Sequence, residues 1–307
     1  MRNINYKIKL LIAAVVIFAV AAMSYKFSFL NSKPSKENSL AASEIQEMAL
    51  PINSKYHVFF DVGQVLLRNS HTKAVKEIGV NNMFWYSLKH KKAPDYAEIR
   101  QKLFEYMDHC TGLPRSTAMV DDQPLPGLMA NWAKGLVTSH EMMRQIINHP
   151  AKETFFASKA EKNLVLGTVN LFSPQVIVKI QKPITATVQL FQECIAQNPN
   201  QVYILSNWDR ESARLIERRF PEIFNLLPSS QIFFSADLGY VKPEPAIYQT
   251  VASRLQIDPQ TCILIDDHIE NIRAARACGW QAIQYQTTRQ VRQELGRIYA
   301  KGNLRTS

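Results

Sequence analysis

The sequence predicts an α/β fold with a parallel sheet at its centre, and three observations lead there. Tyr56-His57-Val58-Phe59-Phe60 is a short β-branched and aromatic run that stops on Asp61, beside a turn-forming Gly63. From Lys182 onward, apolar strands alternate with segments of helical periodicity, the rhythm of strand–helix–strand crossovers. Asp61, Ser206 and the Asp266-Asp267 pair all fall at the carboxyl ends of predicted strands. That is the edge at which an open α/β sheet holds its ligand.

The chain begins with Arg2, Lys7 and Lys9, followed by the uncharged run Leu10–Met23, LLIAAVVIFAVAAM. Its length suits the core of an export signal or a short membrane anchor. Ala19-Val20-Ala21 resembles a cleavage signal, yet Lys26, Lys33 and Lys36 follow closely, so the charge asymmetry is poor. The expectation is an uncleaved anchor or export signal over residues 1–23, with residues 24–54 as a tether rich in Ser, Lys, Asn, Ala and Glu. The protein is then membrane-anchored or exported, with its folded part soluble.

Between Ser70 and Lys182 helical patterns dominate. Within Ala97–Met107, Ile99, Leu103, Tyr106 and Met107 share one face. Asn131-Trp132-Ala133-Lys134-Gly135 reads as a helix end closed by its glycine. Thr138-Ser139-His140-Glu141 then opens another helix, with Met142, Met143, Ile146 and Ile147 as core contacts. Leu125-Pro126-Gly127 and Ser173-Pro174 are turns.

After Lys182 the expected elements are a helix over Thr185–Gln197 and a strand Val202–Leu205 ending in Ser206-Asn207. Asp209 caps the next helix, whose Leu215 and Ile216 face inward while Arg210, Arg214 and Arg218 form a solvated stripe. A strand at Ile232–Phe234 leads into Gly239-Tyr240-Val241-Lys242-Pro243-Glu244-Pro245 and a helix over Ala246–Leu255. Cys262–Ile265 is a strand ending in Asp266-Asp267, Ile269–Cys278 a helix closed by Gly279, and Ala282-Ile283 the centre of a last strand.

Composition narrows the function classes. The 307 residues are 46% hydrophobic and 20% charged, an ordinary globular balance. A net charge of +10 arises from 36 basic and 26 acidic residues, spread along the chain without long like-charge runs. That favours a small anionic ligand, and no nucleic-acid partner is expected. The four cysteines form no C-x-x-C pair, so neither a zinc site nor a disulfide framework is indicated. Cys262 and Cys278 are expected to be buried thiols. Oligomeric state leaves no trace in the sequence.

In a parallel sheet the strand ends converge, bringing Asp61, Ser206, Asp266 and Asp267 together with Lys242 on a loop after the third strand. Each suits a task in phosphoryl transfer. A carboxylate such as Asp61 can attack phosphorus to form an aspartyl-phosphate. Ser206 and neighbouring backbone N–H groups can hold the phosphoryl oxygens, and Lys242 can neutralise charge. The paired carboxylates of Asp266 and Asp267 repel each other without a cation, and Mg²⁺ prefers oxygen ligands.

FFDVGQVLL, ILSNWD, GYVKPEPAIY and ILIDDHIENIRAARACGW resemble the four ordered motifs of the haloacid dehalogenase-like hydrolase superfamily. The resemblance implies a doubly wound, Rossmann-like core over 55–69 and 183–307, with a helical cap inserted over 70–182. It also implies a Mg²⁺-dependent phosphatase acting on a small phosphorylated substrate, sugar phosphates included. Asp61 is then nucleophile and metal ligand, Gly63 a carbonyl ligand, Asp266 and Asp267 the other metal residues. Ser206, Asn207 and Lys242 contact substrate, Ser206 and Lys242 taking part in catalysis.

One position departs from the pattern. Most phosphatases of the superfamily carry a second Asp two residues after the nucleophile, as general acid and base; this chain has Gly63. His268 is a candidate donor in its place. Two other readings accompany the phosphatase: a 2-haloacid dehalogenase, which needs no metal and leaves the Asp266-Asp267 pair without a purpose, and a binding module that has lost turnover.

Overall fold

A computed structural model describes residues 55–120 and 123–303. The apolar run Leu10–Met23 and the tether 24–54 lie outside the described residues. Among the described residues, no helix is long and apolar enough to cross a membrane.

Among the described residues there are nine strands: β1 (His57–Phe60), β2 (Leu67–Asn69), β3 (Met119–Val120), β4 (Gln123–Pro124), β5 (Gln181–Pro183), β6 (Val202–Ser206), β7 (Ile232–Phe234), β8 (Cys262–Asp266) and β9 (Gln281–Gln284). Five form one sheet in the order β7-β6-β1-β8-β9. Every neighbouring pair in it is parallel. The chain winds outward from β1 through β6 and β7, then returns to the other side of β1 for β8 and β9. The strand order therefore reverses at β1, which places the expected ligand crevice at its carboxyl end.

Side-chain alternation onto two covered faces explains why β1, β6, β7 and β8 are mostly apolar rather than apolar at every second residue. Val58, Phe60, Ile204, Ile263 and Ile265 enter the cluster on one face, with Phe191 and Ile216 from helices covering it. Phe59, Tyr203, Leu205 and Leu264 enter the cluster on the other, with Tyr248, Val251 and Trp280. A sheet covered by helices on both sides buries both faces of each strand. The expected doubly wound α/β core is what the chain forms.

The helices follow their sequence signals closely. Thr185–Gln197 is helical over the expected range, and the following one, Arg210–Arg219, is capped by the Asp209 carboxylate, which accepts from the Glu211 and Ser212 backbone N–H groups. Arg210, Arg214 and Arg218 are exposed, as an amphipathic surface helix requires.

The residues between β2 and β5 build a helical insert with a core of its own, in which Leu103, Tyr106, Met107, Met142 and Ile146 meet Leu164 and Val165. Chain exit and return are fastened by the antiparallel β2–β5 pair, a feature the helical pattern did not announce. Thr138 caps Ser139–Asn148 by accepting from the Glu141 N–H. Gly135, which ends the helix Gly127–Ala133, has φ +72, and a Cβ there would lie 2.8 Å from the Ala236 carbonyl oxygen. The glycine allows the insert to press against the core as well as ending a helix.

One expectation about the thiols is corrected. Cys262 is buried within β8, whereas Cys278 is only half-buried, because it sits at the helix end beside Gly279 rather than on the inward face.

Candidate active site

β1 runs between β6 and β8, so Asp61 at its end is flanked by Ser206, the last residue of β6, and Asp266, the last of β8. The Asp61 N–H donates to the Ile265 carbonyl at 2.9 Å, extending the ladder one residue past the strand and fixing the carboxylate's position. The Ser206 hydroxyl accepts from the Val62 N–H at 3.4 Å. All three side chains are buried.

Lys242 arrives on the loop after β7 and the short helix Ser235–Leu238. Asn207 clamps that loop: its Oδ1 accepts from the Lys242 N–H and its Nδ2 donates to the Lys242 carbonyl, both at 2.9 Å. The Asn207 amide is thus committed to positioning Lys242. The buried Lys242 ammonium donates to Asp61 Oδ1 at 2.9 Å, the Leu205 carbonyl at 2.9 Å and Asp266 Oδ2 at 2.5 Å. Its three protons have three acceptors.

Burial pulls the Lys242 pKa down, but the Asp266 and Asp61 carboxylates outweigh it and hold the ammonium well above its usual range. Asp61 is pushed up by burial, with Lys242 opposing and Asp266 adding to the rise. Asp267 is pushed up to about 7, chiefly by burial, with His268 opposing and Asp266 and Asp61 contributing. One ammonium does not satisfy three carboxylates that have been taken out of water.

The donor set fits a hard divalent cation. Oxygens of Asp61, Asp266 and Asp267 lie within 4.8 Å of one another, and Asp267 Oδ1 is buried with no hydrogen-bond partner. A buried carboxylate oxygen without a donor is costly, and a cation accepted by oxygens alone removes that cost. Gly63 adjoins the cluster, lining the same cavity as Asp61 and Asp267.

That cavity has a volume of about 400 Å³ and lies between the sheet edge and the insert. Asp61, Ser206, Asn207, Lys242, Asp267 and His268 line it from the core. The constellation expected from the separate strand ends is one site.

The family follows from the sequence as a whole. Residues 57–279 match the family model for haloacid dehalogenase-like hydrolases. The chain belongs to this family. Hexitol phosphatase B of Escherichia coli (strain K12) is 34% identical over 62 residues, which are 20% of this chain and 28% of that protein. The hydrolase thus spans little more than a quarter of the curated relatives it matches. A solved enzyme of the family from Bacteroides thetaiotaomicron, in complex with magnesium and inorganic phosphate, is similar at 17% identity and TM-score 0.45, over 74% of this chain and 92% of that one. A family hydrolase from Porphyromonas gingivalis is similar at 15% identity and TM-score 0.46, over 75% and 90%.

Two features of the hydrolase's site escaped the sequence reading. Asn271 donates through Nδ2 to both Asp266 oxygens, at 2.9 and 3.0 Å, and so orients that carboxylate. Its signal was an amide within the first turn of the helix that follows the aspartate pair. The second is a bridge between insert and core, in which Trp132 Nε1 donates to Ser139 Oγ at 2.9 Å and Ser139 Oγ to Asp209 Oδ1 at 3.2 Å. Asp209 is therefore more than a helix cap. His268 faces Asp267, its Nε2 3.8 Å from Oδ2, and lines the cavity.

Proposed function

We propose that this hydrolase is a Mg²⁺-dependent phosphatase that cleaves a small phosphorylated substrate through a phosphorylated Asp61. The observation that carries this reading is the buried Lys242 ammonium shared between Asp61 and Asp266, with the unpartnered Asp267 oxygen beside them. A carboxylate held in place by a fixed cation is poised to attack an anionic phosphoryl group that two further carboxylates alone would repel.

Asp61 attacks phosphorus, a new P–O bond forms, and the ester P–O bond breaks with its electron pair on the departing oxygen, which takes a proton. Water then adds to phosphorus, returning the Asp61 carboxylate and releasing inorganic phosphate. Lys242 balances charge on the attacking carboxylate and on the phosphoryl oxygens. The Ser206 hydroxyl and the main chain at Asn207 hold those oxygens. Mg²⁺ bound by Asp61, Asp266, Asp267 and the Gly63 carbonyl would neutralise the phosphoryl charge. The insert closes over the site as a cap and excludes water.

The name of the Escherichia coli relative supports phosphomonoester hydrolysis, and its match is shorter than the insert, where a substrate's organic part would be read. The test is a panel of phosphorylated metabolites with Mg²⁺ and then with chelator. Mg²⁺-dependent phosphate release is expected. Turnover of 2-haloacids without metal would replace the phosphatase by a dehalogenase, and ligand binding without turnover would make it a binding module.

The proposed location is at or across a membrane, through Leu10–Met23, supported by that run's apolar length. Fractionation of cells making the full-length chain tests it; recovery in the soluble cytosolic fraction with an intact N-terminus would overturn it.

A further inference from the structure

The side of the cavity that faces the phosphoryl site is walled by the insert, and that wall is mostly apolar. Leu103, Phe104, Leu125, Met129, Trp132 and Phe172 line it. Trp132 and Phe172 meet edge to face, with ring centroids 5.5 Å apart and planes at 77°.

Three polar side chains of this wall, Gln181, Thr168 and Trp132, donate within the protein. Gln181 Nε2 donates to Asn69 Oδ1 at 2.6 Å and to the Ile177 carbonyl at 3.1 Å. Thr168 Oγ1 donates to the Val165 carbonyl at 2.6 Å, and Trp132 Nε1 to Ser139 Oγ at 2.9 Å. Gln64, exposed on the turn after Asp61, Arg100, whose guanidinium lies 5.5 Å from the Tyr96 ring centroid, and the Asn69 and Tyr96 side chains also reach the cavity. The apolar residues of the lining outnumber these polar ones, whereas each hydroxyl of a polyol brings a donor and acceptors to be satisfied. Sugar hydroxyls set against the apolar residues would lose their water without a replacement, which is unfavourable.

We propose that the cavity takes a phosphomonoester whose leaving group is an apolar, ring-bearing alcohol of the aryl class rather than a polyol. The inference rests on the phosphatase reading and names the substrate class for that same site. A ring can sit against the Trp132 and Phe172 rings, and a volume of about 400 Å³ accommodates it together with the phosphoryl group. The chemistry points the same way. Gly63 offers no acid to protonate the departing oxygen, and an aryloxide leaves with less help than an alkoxide.

The test separates binding from turnover. Straight-chain alkyl phosphonates of increasing length, benzyl phosphonate and a hexitol phosphonate are titrated into the full-length chain with Mg²⁺ by calorimetry. The matching phosphate esters are assayed for hydrolysis. Affinity and kcat/KM are expected to rise about four-fold per buried methylene, from the transfer free energy of a CH₂ group. The benzyl compound should bind better than the hexitol compound. Met129→Gln, at a half-buried position of the wall, should flatten the dependence on chain length. A flat or falling dependence, with the hexitol ester preferred, would overturn the apolar assignment and leave the phosphatase reading standing. Chain-length-dependent binding without hydrolysis of any ester would do the reverse. A chain-length dependence unchanged in Met129→Gln would place the apolar contact elsewhere and overturn the proposal.

Discussion

The Lys242 ammonium donates to Asp61 Oδ1 at 2.9 Å across 181 positions of sequence, and both side chains are buried. No local element holds this pair; the winding of the sheet does. β1 brings Asp61 to its carboxyl edge, while the loop after β7 is tied by Asn207 so that the lysine reaches back across β6.

Removing the cation should therefore damage both fold and function. Lys242→Met leaves Asp61 and Asp266 facing each other inside the protein without their shared counter-charge. Breaking a buried pair on one side typically costs about 3–5 kcal/mol. Urea unfolding of the metal-free chain should show a loss of that order, with turnover abolished. Wild-type stability in the variant would mean that the pair contributes little.

Asp267 is the better position for testing the metal than Asp266. Asp266 also accepts from Lys242, Asn271 and the His268 N–H, so truncating it strands several partners at once. Asp267→Asn keeps the shape and removes the charge of a carboxylate whose Oδ1 lacks a donor and whose Oδ2 faces His268. A rise of roughly 10–100-fold in the Mg²⁺ concentration needed for half-maximal activity is expected. An unchanged Mg²⁺ dependence would exclude Asp267 as a ligand.

Gly63 can be given the missing carboxylate. Its φ is not in the left-handed region, and the nearest atom to an added Cβ is Asp61 Oδ2, at 3.8 Å, which is ordinary contact. Gly63→Asp should fold and should speed esters with poor leaving groups more than aryl esters. The ceiling is about 10²–10⁴-fold, the usual contribution of a general acid. The readout is kcat/KM against leaving-group pKa for both proteins. A flat wild-type dependence would show that an acid, such as His268, already acts.

The thiols should react unevenly. Burial pushes Cys194 and Cys262 up to about 12, so both stay protonated at pH 8 and out of reach of reagents. Cys110 and Cys278 are less buried, and should be alkylated first in the native chain. Peptide mapping after a brief treatment at pH 8 reads this directly; early labelling of Cys194 or Cys262 would contradict it.

Much of the core was legible because β1, β6, β7 and β8 are mostly apolar and stop on or just before a polar residue. The helices carry their caps in sequence, as Asp209 and Thr138 do. Asp61, Ser206, Lys242, Asp266 and Asp267 could be brought together on paper, since parallel strands share one carboxyl edge. Asn271 was not legible, because its contact with Asp266 depends on how tightly the chain turns into the helix Ile269–Ala277. The Trp132–Ser139–Asp209 bridge joins residues far apart through side-chain polar atoms, which leave no periodic trace. The apolar cavity wall was hidden for a related reason. Periodicity marks the inward face of a helix, but not whether that face meets another helix or a ligand.

Trapping the phosphorylated carboxylate tests the mechanism most directly. Full-length enzyme with Mg²⁺ and an aryl phosphate is quenched in acid during turnover, digested, and its peptides weighed. A phosphoryl group is expected on Asp61 in the wild type, and none in Asp61→Asn, which should also release no phosphate. Phosphate release at a wild-type rate from Asp61→Asn, with no phosphorylated peptide from either protein, would contradict a nucleophilic Asp61.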